Sequence, residues 1–163
     1  MSLTVDEKME NLDRFLTDYR EKFHLDKIKI KDVDIATTVG EIKRLHPEEI
    51  AEKVLNWGLY SFAIQIRINE VKAKLTWVED NLNRYWGIHQ QNISKEYGFT
   101  AYDRKMLLLE NNEYADKLYR LRTNLNIELI QLEYLPNNVN FLTKVATQIM
   151  EGKYRELNSN KRN

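Results

Sequence analysis

The groups in this chain whose types and spacing bear on chemistry are cations and aromatic rings. The stretch VKAKLTWVEDNLNRYWG carries Lys72, Lys74 and Arg84 and ends in Tyr85, Trp86 and Gly87. The stretch DKLYRLRTN carries Lys117, Arg120 and Arg122, with no acid from Lys117 to Ile127. Between the two, Tyr97, Phe99 and Tyr102 gather around Gly98. Basic grooves studded with rings suit single-stranded nucleic acid, because phosphates meet the cations and any base stacks on a ring face. The same rings also suit the plugged end of a helical pair or a contact between subunits. Trp86, Tyr97 and Phe99 are the candidates for stacking or a partner contact, whereas Tyr85 falls on an apolar seam and reads as core.

Catalytic constellations are not found in the sequence. His24, His46 and His89 are scattered, without the helical spacing of a metal pair. No glycine-rich phosphate loop or nucleophile elbow occurs, and the chain has no cysteine. Glu48, Glu49 and Glu52 cluster after Pro47, where the positive end of a helix dipole accounts for them. No catalytic residue, metal or cofactor is expected, and the chain reads as a non-enzyme.

Long helices must position the basic groups. Ile50, Val54, Trp57, Ser61, Ile64, Ile68, Val71, Leu75, Val78, Leu82 and Tyr85 alternate steps of four and three, a heptad seam. Leu55, Leu59, Phe62 and Ile66 add a second apolar stripe, to be covered by the N-terminal helix or by another subunit. Gly58 inside this helix suggests a close helix contact. A second seam runs through Tyr114, Leu118, Leu121, Leu125, Leu132, Leu135, Val139, Leu142, Ala146 and Ile149. Thr100-Ala101-Tyr102-Asp103 reads as its start signal, and Pro136 predicts a kink or short break near Leu135–Asn138. Ahead of the seams, Thr4-Val5-Asp6-Glu7 reads as a capping box. A first helix then spans about 5–23, with Met9, Leu12, Phe15, Leu16, Tyr19 and Phe23 on its apolar face. LDKIKIKDVDI, from Leu25 to Ile35, alternates as an extended linker or added strand. A short helical turn follows near Val39–Leu45.

The expected architecture is all-α: a long antiparallel helical hairpin at 47–157, preceded by a helix and extended arm at 1–46 and followed by a disordered tail at 158–163. With the turn near Tyr97, Lys72 comes opposite Arg122, Lys74 opposite Arg120, and Trp77 opposite Lys117. These cations flank the seam, where a structural pair would place opposite charges. Like charges at such spacing cost a few tenths of a kcal/mol per pair, roughly. Either the side-chain stems lie over the seam with their heads in water, or an outside anion is bound there. Glu70, Asp116 and Glu128 are the acids best placed to compensate, while Glu79 and Asp80 read as a solvated face.

The 25 acidic and 25 basic residues cancel, so no global field draws in nucleic acid or anionic membrane. MSLTVDEKME lacks the apolar core of a signal peptide, and no apolar run nears membrane-spanning length. A cytoplasmic setting is expected, without membrane association. The doubled stripe on the first long helix predicts a homo-oligomer.

The pattern from Pro47 to Leu157 resembles the UvsY-type recombination mediators of tailed phages. The likeness rests on VKAKL, RYWG, a polar insert, and the run NEYADKLYRLRTNLNIELIQLEYLPNNVNFLTKVATQIMEGKY. It implies a small helical protein that assembles into rings, binds single-stranded DNA and helps load a recombinase, in the host cytoplasm if phage-encoded. It also implies that Lys72, Lys74 and Arg84 face the DNA, whereas Lys117, Arg120 and Arg122 join them through the helix pairing alone. Residues 1–46 and the neutral net charge depart from that family. A structural or adaptor coiled-coil protein, such as a phage assembly component with only protein partners, is the alternative reading.

Overall fold

A computed structural model describes residues 4–23, 25, 35–89 and 100–160. Among them are five helices and no strand: α1 (Val5–Lys22), α2 (Val39–Arg44), α3 (Pro47–His89), α4 (Ala101–Glu110) and α5 (Glu113–Asn160). The all-α class expected from the heptads is therefore what forms.

Short side-chain signals begin the helices. The Thr4 hydroxyl accepts the Glu7 N–H at 3.3 Å, and the Glu7 carboxylate accepts the Thr4 N–H at 2.7 Å. The same reciprocal box starts α2 at Thr38 and Glu41 and α4 at Thr100 and Asp103. Each box satisfies two amides that have no partner inside the helix. At the start of α3, Pro47 gives up no needed hydrogen bond. Glu49 reaches back there to accept the His46 N–H at 2.7 Å.

The chain divides into two compact units. One joins Met1–Phe23 to Asn69–Ile130, and the other joins His24–Ile68 to Gln131–Asn163. In the second, Ile42 of α2, Ile50 and Trp57 of α3, and Val139 and Ala146 of α5 form a buried cluster. Leu45, Val54, Tyr60 and Leu142 pack around it. Fully burying a large side chain of this kind stabilises by about 1.5–3 kcal/mol. Lys153 Nζ donates to the Leu45 carbonyl at 2.6 Å and so closes the end of α2.

In the first unit, the buried residues include Val71, Val78 and Leu82 of α3, Leu109 of α4, and Ala115, Leu118 and Leu125 of α5. α3 and α5 run antiparallel there, since Glu79 meets Arg122 and Tyr85 meets Tyr114. Helix α1 lies against both. It buries Val5 and half-buries Met9, Leu12 and Leu16, whereas Phe15, Tyr19 and Phe23 stay exposed. The expected apolar face of α1 is thus only partly used.

Other expectations need correction. Helix does not continue unbroken after Asp103: Asn111 closes α4, and Asn112 Oδ1 accepts the Ala115 N–H at 3.0 Å to open α5. Asparagine is a strong helix N-cap, and the heptad count did not weigh it. The short break expected near Pro136 does not form, because α5 runs through it from Glu113 to Asn160. Gly58 has no close helix neighbour among the described residues, since a Cβ there would meet nothing within 4 Å. Leu55, Leu59 and Phe62 are 63%, 44% and 48% exposed. The alternating segment after Leu25, up to Ile35, and the turn near Tyr97 lie outside the described residues.

Candidate nucleic-acid interface

All six basic candidates fall within the first unit, with Lys72, Lys74 and Arg84 on α3 and Lys117, Arg120 and Arg122 on α5. Their partners differ from those expected. Arg122 Nε donates to Glu79 Oε1 at 3.0 Å, so the residue expected opposite Lys72 meets a carboxylate seven positions further along α3. Glu79 is therefore an ion-pair partner, with its side chain still 40% exposed. Arg120 Nε stands 2.8 Å from Asp116 Oδ2, one turn back on the same helix.

Two of the three lysines are answered from α1. Lys74 Nζ pairs with Asp13, and Lys117 Nζ pairs with Asp6. A third rung has the opposite sense: Arg20 Nε lies 3.0 Å from Oε1 of the buried Glu70. Residues 6, 13 and 20 recur every seven positions, so they share one edge of α1. Beside them, Lys8 Nζ donates to the Tyr114 hydroxyl at 3.3 Å and sits over that ring. The Lys74 side chain keeps only 15% of its exposure. The exposed Lys117–Asp6 pair contributes about 0.2–1 kcal/mol. The like-charge crowding inferred from a two-helix pairing is relieved by α1 acids at Lys74 and Lys117 and by Glu79 and Asp116 at Arg122 and Arg120.

The remaining candidates separate by exposure. Lys72 and Arg84 are exposed, and Trp86, one position past Tyr85, is half-buried. The Tyr85 ring lies 4.2 Å from His89 and 5.7 Å from Tyr114 between centroids, which makes it a packing residue. Tyr97 and Phe99 lie outside the described residues. An open cleft of about 530 Å³ at the α4–α5 break is lined in part by Asp116, Tyr119 and Arg120.

Sequence reasoning missed Asp6, Asp13 and Glu79. The heptad recurrence of Asp6, Asp13 and Arg20 was the available signal, because a charged edge on an amphipathic helix implies a charged counterpart. No group of three or more metal-ligating side chains comes together among the described residues. Nor is any described helix long and apolar enough to cross a membrane. No family model, characterised protein or solved structure matches the chain.

Proposed function

We propose that the chain is an oligomeric, non-enzymatic protein that binds single-stranded DNA and serves recombination as an accessory, in the manner of UvsY-type mediators. Its protein partner on this reading is a recombinase or another phage protein. The supporting observation is the gathering of Lys72, Lys74, Arg84, Lys117, Arg120 and Arg122 in one unit, which also holds Trp86. Phosphates would meet the cations while a base stacks at the tryptophan.

Fluorescence anisotropy of a labelled oligothymidylate tests this reading. The full chain should retain the oligonucleotide at low salt and release it as salt rises. Replacing Lys72 and Arg84 together with alanine should weaken binding. It should also flatten the salt dependence by about 0.7 in the log–log slope for each lost phosphate contact. Failure of the wild-type chain to bind at low salt overturns the reading.

A second reading, an adaptor with only protein partners, draws on the exposed Leu55, Leu59 and Phe62 stripe. An adaptor retains no oligonucleotide, so the same titration separates the two.

A further inference from the structure

We infer that α1 is an internal competitor for the polyanion site, with Asp6 and Asp13 holding the positions that two phosphates would take on Lys117 and Lys74. This inference rests on the single-stranded DNA reading and adds a regulatory element to it. Two of the three lysines proposed to meet phosphates, Lys74 and Lys117, are already paired with carboxylates of one helix. Seven residues of helix separate the two carboxylates by about 10 Å along the axis. They thus form a short, regularly spaced row of negative charge, as a strand of phosphates does.

The hold of α1 is of a kind that a polyanion can exchange. Val5 is its one buried residue among those described, and Phe15, Tyr19 and Phe23 remain in solvent. Met9, Leu12 and Leu16 are half-buried, and three ion pairs and a lysine–tyrosine hydrogen bond add to that hold. A DNA strand reaching Lys74 must displace Asp13, because that side chain has little open surface and its ammonium is paired with Asp13. The cost of displacing α1 lowers the apparent affinity of the wild-type chain without abolishing it.

The experiment is the same oligothymidylate titration on three full-length proteins. In Asp6→Asn/Asp13→Asn, both lysines lose their internal carboxylates, and binding should tighten roughly three- to tenfold, as expected when one exposed and one partly buried pair are lost. The control is Asp18→Asn/Glu21→Gln, which alters net charge by the same amount at exposed α1 acids outside the ladder. Its affinity should change less than twofold. Equal tightening in the control overturns the inference, since overall charge then explains it. Unchanged affinity in Asp6→Asn/Asp13→Asn, with wild-type binding intact, overturns the inference and leaves the DNA reading standing. Absence of binding by all three proteins removes the DNA reading and the inference together. Hydrogen exchange on the wild-type chain gives an independent measure. Saturating oligothymidylate should speed exchange across Val5–Lys22, and unchanged or slower exchange there overturns displacement of α1.

Discussion

A carboxylate three residues after a threonine sets the first turn of α1 and of α4, and it does so through charge. Glu7 is held below the ordinary glutamate range, first by the Thr4 N–H and then by the Thr4 hydroxyl. Asp103 is likewise lowered, with the Thr100 hydroxyl ahead of the Thr100 N–H. In each case the folded pKa lies below the unfolded one. The contribution to stability is therefore present above the ordinary carboxylate range and is lost as pH falls through the folded value. Acidification into and below that range should loosen residues 5–8 and 101–104, read as Cα chemical shifts moving toward coil values. Glu7→Gln keeps an acceptor for the Thr4 N–H but has no proton to gain over this range. In that variant the acid-dependent shift should shrink in α1, where the Asp6–Lys117 pair remains, and persist in α4. A shift of undiminished size in α1 would assign it to some other group.

At the scale of elements, local chemistry and packing gave different outcomes at two interruptions. The Asn111–Asn112 pair ends one helix and starts another, because an asparagine side chain satisfies an amide of the new first turn. Pro136 lies within α5, yet the helix continues on both sides of it. Leu132 and Leu135 before it and Val139 and Leu142 after it are all at least half-buried. Keeping this apolar face in register outweighs one missing backbone hydrogen bond. Proline in a helix interior is about 3 kcal/mol less favourable than alanine. Pro136→Ala should therefore raise stability by roughly 1–3 kcal/mol, seen as a higher urea midpoint with an unchanged m-value. A midpoint that stays put would mean that the surrounding turn already relieves the proline.

The whole-molecule prediction concerns self-association. Leu55, Leu59 and Phe62 lie at i, i+4 and i+7 on α3, all substantially exposed, with Gly58 open among them. Exposed apolar patches on this pattern mark interfaces. Wild-type chain should sediment as a homo-oligomer at micromolar concentration. Leu55→Glu/Phe62→Glu should shift it to monomer while far-ultraviolet dichroism holds, since neither side chain belongs to the buried cluster of its unit. A wild-type chain sedimenting as a monomer removes the oligomer from the proposal.

What the sequence by itself determined was whatever neighbours along the chain decide. The capping box at Thr4, the start at Pro47, the signal at Thr100 and both heptad seams depend on groups within a turn or two. Their outcome was readable because helix periodicity and capping are short-range. The tertiary structure alone decided which charges meet. Asp6 finds Lys117 across 111 positions of sequence, and Arg122 finds Glu79 across 43. A shift of one heptad along the seam keeps every apolar residue inward while exchanging every charged partner, so hydrophobic periodicity does not specify the charge pairing. The position of α1 was equally hidden. Its apolar face fits any exposed groove, and the ladder of Asp6, Asp13 and Arg20 is complementary only once Lys117, Lys74 and Glu70 have been brought to one surface by the packing of α3 on α5.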